Sequence, residues 1–144
     1  MRHRQRLAAS ERGIAALEFV LMLPFVLMVM FGIIDVSLLL CDKAVITNAA
    51  GEAARQGAVL SMPRASVSRI QSVALSYMQN SLVTGGTATT PSVSVPSGQC
   101  PPSGSGNTLQ VTITYIYQGL VLGSTLSALT GPVTITADAV KYCE

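Results

Sequence analysis

Histidine is almost missing from this 144-residue chain: there is one, His3, and it lies among basic residues at the start. A Ser/His pair or a His-containing zinc site therefore cannot be assembled from the later part of the chain. Cysteine is nearly as scarce, with Cys41, Cys100 and Cys143 too far apart to form the close-spaced pair that metal sites use. Charge is scarce too. Only 11% of residues are charged against 49% hydrophobic, well below the roughly 25% charged residues of soluble domains. The acids Asp42, Glu52, Asp138 and Glu144 are scattered rather than paired. Gly85-Gly86 and Gly104-Ser105-Gly106 lie in low-complexity stretches and read as flexible spacers, since no strand leads into them as a phosphate loop requires. These absences leave an enzyme with almost no residues to work with, and they imply no metal and no cofactor. A net charge of +2 is too small to point to nucleic acid.

What the chain does have is a long apolar run behind a basic flank. Arg2, Arg4, Arg6 and Arg12 fall in the first thirteen positions, opposed by one acid, Glu11. By the positive-inside rule such a flank holds the N-terminus in the cytoplasm and places the residues beyond the span outside. From Ile14 to Asp35 an α-helix rises roughly 32 Å, close to the ~30 Å hydrocarbon thickness of a bilayer. The run exceeds the 7–15 apolar residues of a secretory signal peptide, and no small-x-small cleavage site closes it. Pro24 removes a backbone donor and frees the Val20 carbonyl, so a kink is expected there.

One charge interrupts the run. Between Ile14 and Ile34 the only ionisable side chain is Glu18, about 6 Å from the helix start. A charge inside such a segment costs roughly 2.5–3.5 kcal/mol on insertion scales, which makes it a functional-site hypothesis by default.

Beyond the span the pattern changes. The helix is expected to continue to about residue 60, with small residues at 50, 53, 54, 57 and 58 spaced for close packing against another element. Ser61 and Pro63 suggest the cap and first turn of a second helix over 63–82, its core face formed by Val67, Ile70, Val73, Ala74, Tyr77 and Met78. From Thr84 to Thr108, Gly, Pro, Ser and Thr predominate, with Ser92-Val93-Ser94-Val95 as a short edge strand between Pro91 and Pro96. Leu109, Val111, Ile113, Tyr115 and Tyr117 alternate with Gln110, Thr112, Thr114 and Ile116 as a half-buried strand; Val133, Ile135, Ala137 and Ala139 alternate with Thr134, Thr136 and Asp138 as a second. The connection between them carries Leu120, Val121, Leu122, Leu126 and Leu129, suited to a small core or to a membrane surface.

The reading is thus an α+β chain. It comprises a basic leader (1–13), a transmembrane helix (14–41), an extracytoplasmic helical part (42–82), a loop region (83–108) and C-terminal antiparallel strands (109–144). In an oxidising compartment Cys100 and Cys143 are the candidate disulfide, closing a loop of about 44 residues. Cys41 reads as a small buried apolar residue in preference to an intermolecular disulfide.

Gly13, followed after four residues by Glu18 and the aromatic Phe19, resembles the class III signal of type IV pilins, and in particular the Tad (tight adherence, Flp) branch. With Pro24, Gly32, Asp35, the segment Asn48-Ala49-Ala50-Gly51-Glu52-Ala53-Ala54-Arg55 and the terminal strand pair, the chain is similar to the TadE-like family of minor pseudopilins. That resemblance implies a pilin-like fold, cleavage by a prepilin peptidase between Gly13 and Ile14, and a role in assembling a Tad pilus from the bacterial inner membrane. It also implies other pseudopilins, the major pilin or the Tad assembly platform as partners. Cleavage would create an α-amine on Ile14, and Glu18 could neutralise the amine of a neighbouring subunit. The alternatives are an unprocessed single-pass scaffold of the same machinery and, from a different class, an anchored extracytoplasmic enzyme.

Overall fold

A computed structural model describes residues 2–85, 89–102, 106–120 and 131–144, excepting the side chains of 2–13. The elements are α1 (Arg2–Ala58), α2 (Val67–Met78), β1 (Ser92–Ser94), β2 (Thr108–Tyr117) and β3 (Val133–Tyr142). The architecture is α+β, with one three-stranded antiparallel sheet in the order β1-β2-β3. By contacts the chain divides into two units, Met1–Ile34 and Asp35–Glu144.

The first unit is helix alone. The helix begins at Arg2, earlier than the expected start at Ile14, because the leader is rich in Arg, Gln, Leu, Ala and Glu, all good helix formers. It runs through Pro24 as one assigned helix. From Ile14 to Met30 every residue is exposed, among them Ile14, Phe19, Leu21, Phe25 and Val29. So continuous an apolar surface belongs to a segment whose solvent is not water.

The second unit has a core. Ile46, Ala49, Ala50, Ala53 and Ala54 of α1 cluster with Ile70, Ala74 and Met78 of α2 and with Leu109, Val111, Ile113, Tyr115 and Tyr117 of β2. The small residues act as spacing predicts: a stripe without bulk lets the helix backbone approach the sheet. Gly57 marks a close approach, since a Cβ there would lie 2.4 Å from Leu109 Cδ2 and 2.7 Å from Ile70 Cδ1.

Four expectations require correction. Helix α2 starts at Val67, not 63, because Ser66 takes the cap: its hydroxyl accepts the Arg69 N–H at 3.3 Å, while Ser61 instead donates to the Pro63 carbonyl at 3.2 Å. It ends at Met78, short of 82, where Asn80 adopts φ 63 and turns the chain away. Tyr77 and Val133 are exposed, lying at the margins of their apolar faces. Cys41 is exposed as well, since it sits one position from Asp42 and so on another face of the helix. Lastly, Gly85 is no flexible spacer. Its N–H donates to the Gln118 carbonyl at 3.0 Å and a Cβ would strike the Gly119–Leu120 backbone, so only glycine fits. Of the other spacer glycines, Gly86 and Gly104 lie outside the described residues, as do Val121, Leu122, Leu126 and Leu129.

Candidate functional site

In the first unit, the residues singled out by sequence sit on one helix. Gly13 is within α1, and Ile14, Glu18 and Phe19 come after it with their side chains exposed. Ile14 and Glu18 are four residues apart and so share a face one turn apart, whereas Phe19 is rotated by about 100° from Glu18. No partner for Glu18 is found among the described residues, where Ile14, Leu17, Phe19, Leu21 and Met22 near it are exposed apolar side chains. Among the described residues the glutamate thus stands in an apolar belt without a hydrogen-bond partner.

In the second unit, α1 contributes a pair of acids that look merely scattered in the sequence. Asp35 and Asp42 are seven residues apart, two turns along one face, and both are buried. Asp35 Oδ1 accepts the Leu120 N–H at 3.0 Å, and its carbonyl accepts the Tyr117 hydroxyl at 3.1 Å. Asp42 Oδ1 accepts the Val83 N–H at 2.9 Å, while Oδ2 has no partner among the described residues. Burial drives the Asp42 carboxyl above the ordinary carboxylate range, an effect the Val83 hydrogen bond only partly offsets. Burial likewise raises the Tyr117 phenol, helped by the charges of Asp35 and Asp42. These acids fasten loops, 82–85 and 118–120, to the helix. Their signal in the sequence is spacing: a seven-residue interval puts both on the stripe that also carries Ile46, Ala49 and Ala53.

The segment Asn48–Arg55 divides cleanly between two faces. Ala49, Ala50, Ala53 and Ala54 are buried in the core, while Glu52 holds the Arg55 guanidinium through two hydrogen bonds at 2.9 and 3.0 Å and accepts from Gln56 at 3.0 Å. Exposed to water, that pair lowers the Glu52 carboxyl and raises Arg55 but adds little to stability. Cys100 and Cys143 form a disulfide with Cα atoms 5.8 Å apart, tying the loop before β2 to the residue after β3. Among the described residues no group of His, Cys, Asp and Glu is placed to hold a metal ion.

Residues 13–55 match the model of a family described as TadE-like protein. The N-terminal segment of this chain is TadE-like. The match begins at Gly13, contains Glu18, Phe19, Asp35 and Asp42, and ends at Arg55 of the Glu52 pair. No curated protein and no solved structure matches the chain significantly. Residues 13–55 are thus similar to the TadE-like family, and the helix they share is long and apolar enough to cross a membrane.

Proposed function

We propose that this protein is a minor pilin-like subunit, a pseudopilin, for assembly of a Tad/Flp-type pilus. In this reading a prepilin peptidase removes residues 1–13, and the mature chain stays in the bacterial inner membrane through a span that starts at Ile14 and ends between Ile34 and Cys41. The remainder lies on the outer side, where the Cys100–Cys143 disulfide is stable. A kink at Pro24 would adapt the span to its neighbours. The partners are the peptidase, other pseudopilins, and the major pilin or the assembly platform.

The observation that carries this reading is the junction itself. Gly13 opens the TadE-like segment, the basic flank ends beside it, and Glu18 stands one turn inside an otherwise apolar, exposed helix with no partner of its own among the described residues. Cutting after Gly13 puts a positive amine on Ile14. A carboxylate and an amine from adjacent helices then neutralise each other in a medium where either alone is costly. Intact mass and N-terminal sequencing of the protein from membranes test the proposal: a mature chain starting at Ile14 is expected in peptidase-positive cells and one starting at Met1 in peptidase-deficient cells. A chain starting at Met1 in both would establish the unprocessed scaffold instead.

A further inference from the structure

The backbone of β3 shows which of its groups are used. Cys143 donates its N–H to the Asn107 carbonyl at 2.9 Å, so the odd-numbered residues in register turn their backbone groups toward β2 and the even-numbered ones turn outward. That outer edge is covered at two places. The Lys43 ammonium donates to the Thr136 carbonyl, and the Glu144 N–H donates to the Ala58 carbonyl at 3.0 Å. Between them the N–H and C=O groups of Asp138, Val140 and Tyr142 have no partner among the described residues.

The other edge of the sheet is closed. Gln71 of α2 donates to the Val93 carbonyl at 2.9 Å, and prolines bracket β1 at 91 and 96. Proteins guard edges with proline, bulges or a covering element. From 138 to 142 β3 has no proline, and its register with β2 runs without a bulge. Its side chains are open as well: Val140 is 56% and Tyr142 77% exposed. The Asp138 carboxylate is taken by the Thr112 hydroxyl, whereas Lys141 is exposed with no carboxylate partner among the described residues.

We infer that the β3 edge over Asp138–Tyr142 is a strand-addition site for an extended segment of a different protein, apolar beside Val140 and Tyr142 and carrying a carboxylate for Lys141. Main-chain hydrogen bonds would supply the affinity and the side chains the choice of partner. A second copy of this chain does not fit. Pairing two β3 strands through their outward, even-numbered groups sets odd-numbered positions opposite odd-numbered ones, so Lys141 would face Val133, Ile135, Ala137, Ala139 or a second Lys141, none of which carries a carboxylate. A two-fold rotation cannot supply the one-residue stagger that parallel pairing needs. Pairing of β3 with the β1 of another copy is blocked by Gln71.

Amide hydrogen exchange of the full chain in detergent micelles tests this, with the peptide acetyl-Thr-Val-Thr-Val-Glu-Val-Thr-amide as probe. Without peptide, the amides of Asp138, Val140 and Tyr142 are expected to exchange at least about tenfold faster than those of Ala137, Ala139 and Lys141. Peptide should slow the three outer amides by about tenfold or more, and a version N-methylated at alternate amides should leave them unchanged. Val140→Pro, which removes only an outward donor, should abolish the response while the inner amides stay protected. Lys141→Glu provides a second, folded variant, expected to weaken binding of this peptide and to favour one with Lys in place of Glu. No slowing at millimolar peptide, equal slowing by the N-methylated version, or slowing that rises with protein concentration alone would overturn the inference. None of these readouts depends on cleavage after Gly13.

Discussion

Val83 gives its backbone N–H to Asp42 across 2.9 Å, and the carboxylate that receives it is wholly buried, with its second oxygen unpartnered among the described residues. The Thr84 hydroxyl, on the next residue, is also buried, with no partner among the described residues. Burial raises the Asp42 pKa above its ordinary 3.8, so the folded chain holds this proton more tightly than the unfolded chain does. The associated stability is therefore complete below the unfolded pKa and is lost as pH rises through the folded one. Asp42→Asn keeps the acceptor for Val83 and cannot ionise. It is expected to exceed the wild type in unfolding free energy by about 1 kcal/mol at pH 7 to 8 and to lose that advantage near pH 4, as read by denaturant titration across pH.

Gly57 and Gly51 lie in the same helix and should respond to alanine in opposite directions. At Gly57 the added methyl meets Leu109 and Ile70 side chains in the core, whereas at Gly51 nothing lies within 4 Å. Gly57→Ala is expected to cost about 1–3 kcal/mol through overpacking. Gly51→Ala should stabilise by about 0.5–1 kcal/mol, because alanine is the better helix former. Thermal unfolding of the two variants separates packing from propensity.

Gly85 tests a different kind of crowding. A Cβ there would strike the Gly119–Leu120 backbone, which cannot rotate aside as a side chain end can. Gly85→Ala should therefore destabilise more than Gly57→Ala and break the hydrogen bond to Gln118, giving faster exchange of the Gly85 position's amide.

Much of this fold is legible because its signals are periodic. β2 alternates so regularly that burial of Leu109, Val111, Ile113, Tyr115 and Tyr117 can be read from a period of two, and burial of the small residues of α1 from a period of 3.6. What escapes is long-range. The stripe it shares with Ile46 and Ala49 marks the face on which Asp42 lies, but its partner is not legible, because that depends on where residue 83 returns 41 positions later. The start of α2 is ambiguous for a local reason: Ser61 and Ser66 are both acceptable caps, and which one serves depends on the path the chain takes from α1. At the junction the residues of the motif are legible, but a partner for Glu18 cannot be read from one chain.

The disulfide should matter more than its single bond suggests. It spans 43 positions and joins the loop before β2 to the end of β3 in a small core. Chain-entropy arguments give on the order of 3–4 kcal/mol for closing such a loop. Replacing Cys100 and Cys143 together by Ser, in a Cys41→Ser background that prevents crosslinks through the exposed thiol, should lower the denaturant midpoint accordingly. Non-reducing peptide mapping of the wild type should recover Cys100 joined to Cys143, and recovery of Cys41 in that link would contradict the assignment.

Glu18 and Gly13 can be separated by the step that each variant leaves intact. If the peptidase needs the glycine for close approach of its own groups to the scissile bond, Gly13→Ala or a bulkier residue should slow cleavage and leave precursor in the membrane. Glu18 lies five residues further on and is proposed to act after cleavage, as the counter-charge to an amine on a neighbouring helix. Glu18→Ala should therefore yield the mature mass at close to the wild-type rate yet fail to join the assembled machinery, as read by crosslinking and by pilus counts. Glu18→Gln retains hydrogen bonding and loses the charge. If the charge is what matters, Gln should fail as Ala does, because a neutral amide leaves the Ile14 amine uncompensated in lipid. Normal assembly with either variant would remove the pairing role and reduce Glu18 to a side chain that reaches back to the membrane surface.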